Sequence, residues 1–160
     1  MKPKVYVETS IVSVLTSRPS RDVEQLAQQQ YTLEWWASAS SKFQLVISDF
    51  VLQEARQGDV GAAKARLDAL RAATVVLDID DAQAVALADI LLNRGALPAK
   101  ARFDALHVAA CACSGVEFLA SWNYKHLANA QRAVFVEQVC REAGYEPPRI
   151  TTLYELILEE

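Results

Sequence analysis

The sequence predicts an α/β fold in which a parallel sheet of about five short strands is joined by crossover helices. Short apolar runs rich in Val, Ile, Phe and Leu alternate along the chain with longer segments of helical periodicity, the pattern of a sheet covered by helices. The length of 160 residues at 52% hydrophobic content can bury one sizeable core and normally not two, so residues 1–160 read as a single domain.

The expected strands cover residues 4–7, 44–48, 74–77, 117–120 and 149–151, each too brief to be a helix of typical length. The expected helices lie between them, at residues 22–41, 50–57, 61–71, 82–94, 102–114 and 131–142, with a terminal turn from Leu153. Asp80 and Asp81 suit the start of the helix at 82–94, Gly95 suits its end, and Pro98 blocks easy continuation. Gly115 ends the following helix in the same way. The chain shows no repeat, linker or low-complexity segment, and only Glu146-Pro147-Pro148 resembles a stiff connection.

Composition narrows the class. Met1-Lys2-Pro3-Lys4 leads into a short apolar stretch and then Glu8-Thr9-Ser10, with neither a signal-peptide core nor a cleavage site. No apolar run approaches the ~20 residues needed to span a bilayer, so a soluble cytoplasmic protein without membrane association is expected. Cys111, Cys113 and Cys140 are odd in number, and the first two point to different faces of a helix, which is no zinc or disulfide pattern. They read as small apolar residues in a reducing compartment. A net charge of -4 argues against broad electrostatic capture of nucleic acid, though not against a local basic rim. Trp35 and Trp36 could form a base-stacking platform, but bulky aromatics on an amphipathic helix more often bury area in a core or interface.

In open α/β sheets, catalytic groups collect beyond the carboxyl ends of the strands. The polar residues found there are Glu8-Thr9-Ser10 after the first strand, Ser48 and then Glu54 after the second, and Ser121-Trp122-Asn123 after the fourth. Asp104 opens the apolar helix that precedes that fourth strand. Each acid also has a plain structural explanation. Asp104 could favour the helix dipole, Glu54 could be a solvated helix residue, and Glu8 could be a turn acid or cap a segment starting at Ile11.

The ordered set, however, resembles the PIN-domain family. The segments that carry the likeness are Val5-Tyr6-Val7-Glu8-Thr9-Ser10, Ile47-Ser48-Asp49-Phe50-Val51-Leu52-Gln53-Glu54, Phe103-Asp104-Ala105-Leu106-His107-Val108-Ala109 and Leu119-Ala120-Ser121-Trp122-Asn123-Tyr124-Lys125-His126-Leu127. Each is weak alone, but together they run from residue 4 to about 153 in the family's order. The likeness implies a three-layer α/β/α sandwich with four acids at the C-terminal edge of the sheet, holding one or two Mg2+ or Mn2+ ions. It places Glu8, Glu54 and Asp104 on three of those positions and Asn123 on the fourth, with Thr9 or Ser10 as the supporting hydroxyl.

Such a site suits phosphodiester hydrolysis, because a divalent ion neutralises the phosphate and provides a nucleophilic water near neutral pH. Hard Mg2+ prefers oxygen ligands, so converging carboxylates fit it without a cysteine-histidine cluster. The pairing of Glu8 with Trp122-Asn123 and His126 is similar to a branch of VapC-like toxin ribonucleases. That branch implies an RNA substrate, a small antitoxin partner and a homodimer. Glu8 stands where the family usually has aspartate and Asn123 where it usually has an acid, which keeps open a second reading as a degenerate module that binds RNA without cutting it.

Of the two histidines, His107 lies three residues after Asp104 and reads chiefly as a packed histidine. His126 could contact substrate phosphate or hold its loop by hydrogen bonds. Lys100, Arg102 and Lys125 flank the site segments and could guide an RNA backbone, or be solvated surface bases. A nucleotide-dependent enzyme is disfavoured, since the chain contains neither G-x-G-x-x-G nor G-x-x-x-x-G-K-[ST]. A receiver-type phosphoacceptor would need an acidic pair near the first strand, which Glu8 alone does not provide.

Overall fold

The computed structural model describes residues 1–158. Five strands form one parallel sheet: β1 (Lys4–Val7), β2 (Gln44–Ile47), β3 (Val75–Val76), β4 (Phe118–Ala120) and β5 (Arg149–Thr151), in the order β3-β2-β1-β4-β5. Tyr6 is in register with Val46 on one side and Leu119 on the other, which makes β1 the central strand. Its Val5, Tyr6 and Val7 are fully buried, as a parallel strand covered on both faces requires.

Among the described residues the α-helices are α1 (Thr9–Thr16), α2 (Val23–Ser38), α3 (Asp49–Ala55), α4 (Val60–Ala73), α5 (Asp81–Asn93), α6 (Arg102–Ser114) and α7 (Ala130–Glu142). Helix α1 packs on α2 and α4, whereas α5 packs on α6 and α7. Right-handed crossovers explain the split: the chain moves outward from β1 to β3, then returns across the sheet to β4, and the reversal sends the later helices to the opposite face. The result is the expected three-layer α/β/α arrangement.

Local chemistry sets most boundaries. Asp22, Asp59, Asp80 and Asn129 each accept a backbone N–H of the helix they precede. Gly115 takes a left-handed conformation (φ 69°) where α6 ends, and Val116 N–H returns to Cys111 O at 3.1 Å. Eight consecutive residues of α6, Ala105 through Ala112, are buried, and all but His107 are apolar, because this stretch lies between the sheet and α5.

Several expected boundaries change. Ser48 leaves β2 and caps α3, residues 39–41 form a separate 3-10 turn, and the third strand contracts from residues 74–77 to Val75–Val76. Both of those valines are exposed at the sheet edge. Helix α1 is absent from the expected helices, since Ile11-Val12-Ser13-Val14 is rich in β-branched residues that disfavour a helix. Burial of Ile11 and Val12 against the core overrides that preference.

Trp35 is a core residue: its ring stacks near Phe43, and its indole N–H donates to Leu156 O at 2.8 Å. Trp36 is half-buried against the same core. All three cysteines are free, with Cys111 and Cys140 buried, and burial pushes the Cys140 thiol up to about 11. No helix among the described residues is long and apolar enough to cross a membrane.

Candidate active site

The strand order reverses direction between β1 and β4, so their carboxyl ends diverge into a crevice, the usual binding position in an open α/β sheet. Glu8 follows β1 directly, and its N–H bonds back to Ala120 O of β4 at 3.1 Å. Its carboxylate is 4% exposed and fully engaged: Oε2 accepts Ser10 N–H at 2.8 Å, while Oε1 accepts the hydroxyls of Ser10 and Ser121, both at 2.6 Å. Ser10 Oγ in turn accepts Trp122 N–H, and Ser121 Oγ accepts Asn123 N–H. The segments after β1 and β4 are therefore tied together through one carboxylate. Burial nevertheless raises the Glu8 pKa, outweighing the nearby His107 and the serine hydrogen bonds.

Glu54, on the last turn of α3, is held by His107 from α6, with Nε2 to Oε1 at 2.9 Å. A carboxylate only accepts, so Nε2 carries the proton there, and Nδ1 meets the Tyr6 hydroxyl at 2.7 Å. The Tyr6 hydroxyl meets Ser48 Oγ at 2.6 Å, which also caps Phe50 N–H. A buried chain thus runs Ser48, Tyr6, His107, Glu54. Burial would raise the Glu54 pKa, but the hydrogen bond and charge of His107 and the nearby Thr9 hydroxyl prevail and lower it.

Asp104, in the first turn of α6, accepts Asn123 Nδ2 at 3.2 Å and His126 Nδ1 at 3.1 Å. Burial raises its pKa against the opposing effects of His107 and His126. Asn123 Oδ1 accepts His126 N–H at 3.1 Å, so its oxygen caps the turn that follows and its nitrogen serves Asp104. His126 ties its loop to Asp104, which favours a loop-holding role over a substrate contact, although its Nε2 is buried without a partner.

One depression is lined by Glu8, Thr9, Ser10, Glu54, Arg66, Asp104 and Asn123, among others. A second, lined by Lys100, Arg102, Phe103 and His126, shares Glu54 and Asp104 with the first. The structure therefore brings together the expected acids, Asn123, Thr9 and Ser10, with Lys100 and Arg102 beside them. Arg102 is paired to Asp89 at 3.0 Å, and Lys125 is exposed and lines neither depression.

Sequence reasoning overlooked Arg66, whose position on α4 gave no signal, while His107 is fully buried as expected of a packed histidine. Glu8, Glu54 and His107 each present a ligand atom, and all three atoms lie within 4.8 Å of one another. Asp104 lines the depression outside that tight group. The donors suit a divalent ion. Thr9 Oγ1, in a residue only 6% exposed, is buried beside them, near enough to Glu54 to lower its pKa yet without a well-formed hydrogen bond.

No family model matches the sequence, and no curated protein does. Solved structures do match. VapBC2 from Rickettsia felis, crystallised bound to a DNA fragment from its promoter, has a TM-score of 0.55 at 13% identity, covering 93% of this chain and 98% of that one. VapC20 of Mycobacterium tuberculosis, a sarcin-ricin loop cleaving toxin, has a TM-score of 0.56 at 18% identity over 90% and 99% of the two chains. The chain has the VapC fold. The PIN-like architecture expected from four weak motifs is thus shared along almost the whole length of both VapC-fold neighbours, and the acidic crevice sits where that fold turns its sheet.

Proposed function

We propose that this chain is a divalent-metal-dependent endoribonuclease and the toxin of a toxin-antitoxin pair. The observation that carries the reading is the convergence of Glu8, Glu54 and Asp104 at the carboxyl edge of β1 and β4, with Arg66 and Lys100 in the two adjoining depressions. Glu8, Glu54 and Asp104 would hold Mg2+ or Mn2+. The ion supplies phosphate charge neutralisation and a water of lowered pKa. Ser10 and Ser121 fix the Glu8 carboxylate, and Arg66 and Lys100 offer positive charge to an RNA backbone crossing the crevice. A small antitoxin partner is part of the same reading, in keeping with the VapBC2 neighbour, and a cytoplasmic setting and a homodimer are proposed with it.

The test is cleavage of structured and single-stranded RNA by the purified chain. Fragments are expected in Mg2+ or Mn2+ and none after chelation, and a hairpin of the sarcin-ricin type is a suitable first substrate given the VapC20 neighbour. Expression without a partner should slow growth, and a small neighbouring protein should relieve it. Harmless overexpression of a protein active on RNA would remove the toxin reading and leave the nuclease one. The second reading, an RNA-binding module that does not cut, draws on Asn123, whose oxygen is committed to the following turn. Binding of RNA with no cleavage in any divalent ion would favour it.

Asn123 gives a separate prediction. Asn123→Asp replaces the N–H donor to Asp104 with a second carboxylate at about the same 3.2 Å distance. The metal-free protein should melt at lower temperature, and Mn2+ should bind more tightly because the added charge attracts it directly. Calorimetric titration of Mn2+ into both forms at one pH and ionic strength checks this. An unchanged or weaker constant places residue 123 outside the ion's reach.

A further inference from the structure

We propose that His107 is itself a metal ligand, through Nε2, completing with Glu8 and Glu54 a mixed nitrogen-oxygen site that favours Mn2+ over Mg2+. The inference rests on the metal-dependent reading above and departs from an all-oxygen site. Three observations carry it.

The first is spacing. Two ligands at right angles on an ion, each about 2.1 Å from it, lie roughly 3 Å apart. His107 Nε2 and Glu54 Oε1 are 2.9 Å apart, and Glu8 completes a set whose ligand atoms all fall within 4.8 Å. The same pair that makes a hydrogen bond without an ion is therefore already placed as neighbouring ligands around one.

The second is the support behind the ring. A ligating histidine needs a partner on its other nitrogen to fix the tautomer and the plane of the imidazole. His107 Nδ1 meets the Tyr6 hydroxyl at 2.7 Å, and Ser48 backs that hydroxyl at 2.6 Å, all three residues being fully buried. A hydroxyl donates or accepts, so Tyr6 serves both states of the ring. With Nε2–H donating to Glu54, Tyr6 donates to Nδ1. With Nε2 on an ion, Nδ1 carries the proton and Tyr6 accepts it. A purely structural histidine would be served as well by a backbone carbonyl, which fits only one of these tautomers.

The third is Thr9. Its Oγ1 is buried without a well-formed hydrogen bond in the wall that also holds Glu8 and Glu54, as expected of a hydroxyl that addresses an ion-bound water. Asp104, by contrast, lies outside the tight group. Mg2+ prefers oxygen and water, whereas imidazole nitrogen is a ligand of the first-row transition ions, a series in which Mn2+ is the weakest binder.

The experiment is electron spin-echo envelope modulation on the full chain loaded with Mn2+. The sequence has two histidines, His107 and His126, so uniform labelling with 15N-histidine interrogates only these. Expected is a directly coordinated 14N signal that converts to 15N on labelling and persists in His126→Gln. His107→Gln should lose it, and its Mn2+-to-Mg2+ affinity ratio should fall at least about tenfold. Stoichiometric Mn2+ binding without histidine nitrogen coupling overturns the proposal and leaves a carboxylate site. Coupling that disappears in His126→Gln assigns the nitrogen to the wrong histidine and overturns it too. Failure to bind Mn2+ at all removes both this proposal and the metal-dependent reading beneath it. Labelling and the His126 variant leave His107 intact, so the result does not depend on folding of the His107 variant.

Discussion

Asp104→Asn and Glu54→Gln should each lower RNA cleavage at least about 100-fold while leaving the fold in place, since removal of even an outer-shell partner of a metal site commonly costs 10- to 100-fold. The substitutions are close in shape and change charge above all. In Glu54→Gln the amide oxygen can still accept the His107 N–H, and in Asp104→Asn it can still accept from His126. Burial already penalises the charged form of Asp104, so the neutral amide should leave stability equal or improved. Single-turnover cleavage alongside circular dichroism and thermal melting separates lost chemistry from lost structure. Full activity in both variants would sink the proposed site.

The metal-free protein should be more stable in mild acid than at neutrality, and Mn2+ should reverse that order. Burial raises the carboxyls of Glu8 and Asp104 above their ordinary values of 4.5 and 3.8. A raised folded pKa means that the native state holds its proton more tightly than the unfolded chain. The resulting stability is complete below the ordinary value and is lost as pH climbs through the folded one. Glu54 works the other way, because its pKa is lowered: its contribution is present above 4.5 and is lost as pH falls through the folded value. Glu8 and Asp104 together outweigh Glu54, since Glu8 is the most deeply buried of the three.

A bound divalent ion offsets the burial penalty on the charged forms of Glu8 and Asp104. At about 100 times its dissociation constant it contributes ~2.7 kcal/mol, which for a chain of this size raises the melting temperature by roughly 5–10 °C. Scanning calorimetry at about pH 5 and pH 7.5, with chelator and then with Mn2+, measures both effects. A flat chelated profile, or an equal Mn2+ shift in the Glu54→Gln variant, would contradict the account.

The parts of this molecule that are legible from sequence are those whose chemistry is local. Helix α6 and strands β1 and β5 fall where periodicity places them, because Gly115 and short runs such as Val5-Tyr6-Val7 mark their limits within a few residues. Glu8 and Asn123 stand out by position, since a parallel sheet sends the residues after its strands to one edge, whereas Glu54 and Asp104 lie on helices and stand out only through the ordered motifs. What stays hidden depends on distant partners. His107 meets Tyr6 across 101 positions and Glu54 across 53, and no spacing rule connects them. Arg66 reaches the crevice only because α4 packs on α1 and α3. Helix α1 is masked by its own β-branched side chains, which a tertiary interface makes tolerable.

The two-residue strand at the margin of the sheet bears on how this protein survives crowding. Val75 and Val76 leave an apolar border that another chain could extend by adding a strand of its own. Asp78, Asp80 and Asp81 follow at once, and Asp80 turns the backbone into α5. The border is thus too short to template a ladder, and its exit is lined with negative charge that repels an identical neighbour. Apolar edges guarded by charge are how sheet proteins remain dispersed at high concentration, and here the guard is the same acidic run that starts the helix.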